Sequence, residues 1–170
     1  MIAIFSGPAM AQVPMRKAES SACRKFVQEF YDWYLPLAHK SARQPAWYLA
    51  LQRKPEAFSP DLLKALKIDS EASARAKGEL VGLDFDPFVG SQDPADHYQA
   101  RGVSWQGDRC SVEVWPASPT DAAAKPAKPD AVAEVVLAGG HWEFQNFRYP
   151  ESGSNLVNVL AELKAERRKH

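Results

Sequence analysis

No apolar run in these 170 residues approaches the ~20 that a membrane-spanning helix needs, so the sequence holds no transmembrane segment. An excess of one charge is lacking too. Twenty-one lysines and arginines meet twenty-one aspartates and glutamates, leaving no global positive field to recruit nucleic acid. Cysteine is scarce: two residues, with no Cys-x-x-Cys pair and no zinc spacing. The four histidines form no His-x-x-x-His, so the residues imply no metal. No serine sits in a Gly-x-Ser-x-Gly elbow and no glycine-rich phosphate loop is present, so no cofactor is implied either.

What is present is ordinary globular composition, 45% hydrophobic and 25% charged in 18.9 kDa. That suits one domain, read here over 20–165, able to bury roughly 70% of its unfolded surface. Ahead of it, Met1 to Ala11 carries no charge and closes on Ala9-Met10-Ala11 before Gln12, the small-x-small pattern that signal peptidase cuts after. The stretch is short and lacks a basic n-region. We therefore read 1–11 as the remnant of a signal whose start lies upstream, and expect a periplasmic or secreted protein with a mature N-terminus at Gln12. In an exported chain an even cysteine count invites pairing. Cys23 shares a helical stripe with Val27, Phe30 and Tyr34, and Cys110 alternates with Val112 and Val114, so both should point inward. A Cys23–Cys110 bridge and two separate buried thiols both fit that placement.

Along the chain, Phe26, Phe30, Trp33 and Leu37 recur at helical spacing from about Ser20 to Leu37, with Pro36 expected to kink or end the helix. Trp47 to Leu51 is a short apolar patch between prolines. Ser59-Pro60-Asp61 reads as a cap and first turn for a helix carrying Leu62, Leu63 and Leu66, with another helical turn or two following Asp69 and ending near Gly78 or Gly82. The period then changes. Tyr98 to Trp105 and Arg109 to Trp115, then Val132 to Leu137 and His141 to Tyr149, read as two antiparallel hairpins. Between them, 116–130 holds four prolines, five alanines and two lysines, and reads as a solvated loop. Ser154 is placed as the cap of a last helix bearing Leu156, Leu160 and Leu163, whose Lys164, Arg167 and Arg168 suit a helix C-terminus. Helices followed by strands predict an α+β fold, with N-terminal helices packed on a curved antiparallel sheet and a C-terminal helix.

Phe26-Val27-Gln28-Glu29-Phe30-Tyr31-Asp32-Trp33-Tyr34-Leu35, Leu62-Leu63, Asp86-Pro87-Phe88 with Ser91-Gln92-Asp93, and Gly140-His141-Trp142 together resemble the bacterial family called domain of unknown function 3828. The resemblance spans about residues 22–150. It implies a secreted or envelope protein with the cone-shaped fold of nuclear transport factor two and ketosteroid isomerase, also called cystatin-like. It implies no activity, since that fold hosts enzymes and binding modules alike.

The candidate site residues are Asp86, Gln92, Asp93, Tyr31 and Tyr34. Asp84, Asp86, Ser91, Gln92, Asp93, Asp96 and His97 form the densest polar cluster. It fits no EF-hand, because Pro87 and Phe88 occupy ligand positions. Asx residues beside Pro87, Gly90 and Pro94 are expected to hold turns: Asp86 and Asp93 accepting loop N–H groups, Gln92 bridging to a strand or helix, Phe88 anchored in the core. Trp105 and Trp115 are read as facing away from Val103 and Val114, a patch for a partner if exposed or packing under a helix if not. The leading expectation is a non-catalytic envelope module binding a protein partner or a small ligand. One alternative is a small ketosteroid isomerase-type enzyme, or a hydrolase, using a carboxylate of Asp32, Asp86 or Asp93 with a tyrosine donor. The other is an envelope immunity or inhibitor protein. The oligomeric state is left open, a homodimer included.

Overall fold

Cys23, Val27, Phe30, Tyr31 and Tyr34 are all buried, and their spacing of four, three, one and three residues traces one face of a helix. In the computed structural model, which describes residues 12–40, 44–76, 81–117 and 128–169 with side chains from residue 16 onward, that helix is α1, Gln12–Lys40. Phe26, Trp33 and Leu37 flank the buried stripe and do not form its centre. Pro36 neither ends nor replaces the helix, which continues to Lys40. The proline forfeits one backbone bond near the C-terminal end, and buried Tyr34 and Leu35 keep that turn on the core. The signal-like stretch 1–11 lies outside the described residues, as do residues 118–127 of the proline-rich segment.

Helix α2, Ala46–Arg53, buries Ala46, Trp47, Ala50 and Leu51. Helix α3, Pro60–Arg75, starts as the sequence predicts, with Ser59 Oγ accepting the Leu62 N–H at 3.4 Å. It runs unbroken past Asp69, because Asp69 lies three residues beyond Leu66 on the buried face and does not act as a breaker. Strands β1 (Tyr98–Gln106), β2 (Arg109–Pro116), β3 (Ala131–Ala138), β4 (His141–Tyr149) and β5 (Ser154–Asn155) form one antiparallel sheet in chain order. Gly139 and Gly140 close the second hairpin at φ +57° and +87°, a left-handed pair that a two-residue turn between twisted strands demands. Helix α4, Leu156–Glu166, is capped by Asn155, whose side-chain oxygen accepts the Asn158 N–H at 3.0 Å. Ser154, the expected cap, pairs with Tyr149 in β5, which moves the helix start along by one.

The fold is therefore α+β, with helices at both ends of the chain packed on a five-stranded antiparallel sheet. Alternation sends Cys110, Val112, Val114, Ala133 and Val135 into the same core as the helices, and a bulge between Phe144 and Asn146 lets Phe144 and Phe147, three residues apart, both join it. Phe30 is its hub: the ring stacks on Tyr34 at 5.5 Å and meets Phe58, Phe88 and Phe144 edge-on at 5.8, 5.3 and 4.8 Å. The Ser59 N–H reaches the Phe144 carbonyl at 2.8 Å, tying the start of α3 to β4.

Cys23 and Cys110 are joined, Cα to Cα 6.7 Å, so α1 is covalently fixed to β2. Arg167 also departs from its expected role at the helix end: its guanidinium pairs with Asp69, fully buried on α3, whose other oxygen accepts the Leu83 N–H at 2.9 Å. One ion pair thus joins α3, α4 and the chain after α3.

The bridge spans 87 residues, for which loop-closure entropy gives a contribution of about 4 kcal/mol. Cys23→Ser with Cys110→Ser, or reduction, should lower the melting temperature accordingly; equal melting with and without reductant would contradict this. Arg167→Ala should destabilise by about 3–5 kcal/mol by stranding the Asp69 carboxylate, read as a shift in the urea midpoint.

Candidate functional site

Tyr31 and Tyr34 are three residues apart on α1 and so share a face. Both hydroxyls are buried and both are aimed at the chain between α3 and β1. The Tyr31 hydroxyl donates to the Phe88 carbonyl and the Tyr34 hydroxyl to Asp86 Oδ2. A third tyrosine joins them from the end of β4: Tyr149 donates to the Pro87 carbonyl at 2.8 Å. Asp86 Oδ1 accepts the Phe88 N–H at 2.9 Å, the Asp86 carbonyl accepts the Gly90 N–H at 2.8 Å, and the Asp86 N–H reaches the Ser91 carbonyl at 2.9 Å. The result is a tight turn over residues 86–91 with Phe88 fully buried beneath it.

Of the expected site residues, Asp86, Tyr31 and Tyr34 come together at the turn; Gln92 lines a cleft beside Asp86 without bonding to it, and Asp93 does not join them. Asp93 bonds through its backbone, its N–H donating to Ser91 Oγ and its carbonyl accepting from the same hydroxyl, both at 3.1 Å. Gln92 does not bridge to a strand or helix; its amide reaches Asp84 Oδ2 at 3.4 Å within the loop. Both side chains are exposed, so water competes for their polar atoms. Asp32 is exposed as well and accepts from Gln28 at 2.8 Å. Among the described residues no group of side chains could hold a metal ion.

Burial pushes the Asp86 carboxyl up from 3.8 to about 6, against the opposing pull of its bonds from Tyr34 and from the backbone of Phe88 and Val89. The same burial, with the Asp86 charge beside them, drives the Tyr31 and Tyr34 hydroxyls well above their ordinary value. Asp86 also borders a cleft of about 300 Å³ walled by Trp47, Leu83, Phe85 and Pro94. A raised carboxyl touching a tyrosine is the pair an isomerase of the cone fold would need. Here the two point at each other, and the second tyrosine points at backbone. Gln92 lines the same cleft as Asp86, and a second cleft of about 480 Å³ is lined by Tyr31, Asp32, His39, Asp96, His97 and Tyr98.

Two features escaped the sequence reading. Tyr98 donates to Asp130 at 2.8 Å, pinning the start of β1 to the chain before β3. On the sheet face away from the helices, Glu134 is buried and accepts from Arg148 Nε at 2.8 Å, Asn146 at 3.2 Å and Arg109 at 3.5 Å. Arg109, Ser111, Glu113 and Trp115 face that way by simple alternation, which was legible; the partner on β3 depends on register, which was not. Trp115 does turn away from Val114. Trp105 corrects the reading: two residues from Val103, it shares Val103's face, packs beneath α1 and donates to Ser20 Oγ at 2.8 Å.

No family model and no curated protein matches this chain. A solved structure is similar to it: one chain of the crystal structure of the type VI native effector-immunity complex Tae3-Tai3 from Ralstonia pickettii, at TM-score 0.53 and 20% identity, over 74% of this chain and 93% of that one. At that identity the likeness is one of fold.

Asp86→Ala should cost about 1–3 kcal/mol by leaving the Tyr34 hydroxyl and Phe88 N–H unpaired, whereas Asp93→Ala should stay within about 0.5 kcal/mol. Because folding raises the Asp86 pKa, its contribution is complete below about pH 3.8 and is lost as pH rises through about 6. Asp86→Asn should flatten the melting temperature across that window; an unchanged pH slope would show that Asp86 does not set it.

Proposed function

We propose that this chain is an envelope protein that binds a protein partner in the manner of an inhibitor or immunity protein. The observation that carries the reading is the likeness of fold to one chain of an effector–immunity complex, extending over 93% of that chain. Two further points support it. A buried disulfide joining Cys23 and Cys110 is favoured by an oxidising compartment, which suits the periplasm or beyond. The buried acid and tyrosines of the most distinctive turn are engaged with one another and with backbone, a scaffold's arrangement. The motif resemblance to the domain of unknown function 3828 family, with its secreted or envelope character, agrees.

The test is co-production of the exported chain with type VI effectors directed to the periplasm, starting with any product encoded beside it. One effector should form a complex stable to gel filtration, and its toxicity should be relieved. Cells that die equally with and without the chain, across the set, would refute the reading.

A further inference from the structure

Among the described residues the helices gather on the inner face of the sheet, and the outer face displays arginine. Arg101 stands on β1, Arg109 on β2 and Arg148 on β4. The face carries three glutamates as well, Glu113, Glu134 and Glu143, but these lie lower: the Glu134 side chain is 8% exposed, against 43% for Arg109 and 48% for Arg148, and Glu143, bonded to His141 at 2.8 Å, is 13% exposed against 54% for that histidine. Glu113 is folded over Gly102, so closely that a Cβ there would come within 2.6 Å of its carboxylate, and it accepts the Trp115 indole N–H at 3.0 Å. Arg101 lies over the Trp115 ring at 5.4 Å.

This layering decides what a partner meets. The carboxylates hold the guanidiniums from below, while Arg148 engages Glu134 through Nε and Arg109 through one terminal nitrogen. Each fork keeps N–H donors directed to other acceptors. Arginines already ordered in this way give up less side-chain freedom on binding, and arginine and tryptophan carry much of the affinity of protein interfaces. The geometry points to the outer face of β1–β4 as the docking surface for an acidic segment of a partner protein, its carboxylates taken by Arg101, Arg109 and Arg148 and its apolar contact made on Trp115. This rests on the protein-partner reading above and gives it a surface and a chemistry.

Arg109 and Arg148 are poor test positions, since removing either strips a buried Glu134 of a partner. Arg101, exposed and held among the described residues by Gln99 and the Trp115 ring, is the better one. With poly-L-glutamate at low ionic strength as the probe, amide shifts should appear on the outer-face residues of β1–β4 and on the Trp115 indole, and weaken with added salt. Arg101→Glu should reduce the affinity at least tenfold with its melting temperature unchanged, while Lys164→Glu on α4 binds as the unaltered chain does. Shifts confined elsewhere, or an Arg101→Glu variant that binds normally, would overturn the assignment. An effector complex that tolerates Arg101→Glu would overturn it too, with the proposed function left standing. If no effector binds the unaltered chain, the proposed function falls and the poly-L-glutamate titration alone decides this face.

Discussion

A tyrosine hydroxyl buried away from water must find a partner inside the protein, and Tyr31, Tyr34 and Tyr149 are each at most 5% exposed. All three find it in the turn that begins at Asp86. Two hydroxyls arrive from α1 and one from β4, so the turn cannot shift relative to either without breaking a bond. Phe88 is pressed between Phe30, Phe58 and Phe147 as a result. Gly90 follows from the same constraint: its φ is +69°, and a Cβ there would meet the Tyr149 ring at 2.6 Å. The turn holds one part of α1 against the end of β4, the Cys23–Cys110 bond holds another against β2, and the phenylalanine core fills the space between.

Much of this was legible because it follows from period. Helical spacing put Cys23 with Val27 and Tyr34, alternation put Cys110 with Val112 and Val114, and two inward cysteines on facing elements then met. Ser59-Pro60-Asp61 announced α3, and the glycine turns announced both hairpins. Illegible were the places where two local signals competed and tertiary contact chose between them. Ser154 and Asn155 are both good caps, and pairing of Ser154 across to Tyr149 decided it. Pro36 argues for a helix end by its own chemistry, and the buried residues around it override that. Arg167 satisfies a helix terminus on paper, yet Asp69, 98 residues away in sequence, claims it; no local rule contains that pairing.

The polar loop was harder for a related reason. Seven polar or acidic residues within 84–97 look alike in sequence, but only the carboxylate that the turn carries beneath the tyrosines is desolvated. Asp86 and Asp93 differ in what covers them, and that cover comes from α1 and β4, distant in the chain. On the outer sheet face the relation is inverted. There the residues of β2 were readable from alternation, but Arg101 and Arg148 face outward only because bulges in β1 and β4 shift the alternation, and Glu134 beneath Arg109 and Arg148 required knowing that Ser111 sits opposite Glu134 and Glu134 opposite Asn146.

How such a fold takes a partner is narrowed by its edges. An edge strand invites pairing with another chain, and β1 is one edge of this sheet. Gln28 on α1 closes part of it: its amide donates to the Tyr98 carbonyl at 3.0 Å and accepts the Ala100 N–H at 2.8 Å, occupying backbone groups that an added strand would use. Between Ala100 and Val103 the register with β2 then shifts, and a bulge bends the strand away from the straight course that strand addition needs. The opposite edge is β4, which the two-residue β5 covers only at Arg148 and Tyr149 before the chain enters α4; farther along, the Ser59 N–H takes the Phe144 carbonyl. The inner face lies beneath the helices. On the outer face proposed above as the docking surface, recognition would run through side chains and not through the backbone ladder, and the buried acids beneath Arg109 and Arg148 hold those two side chains in place.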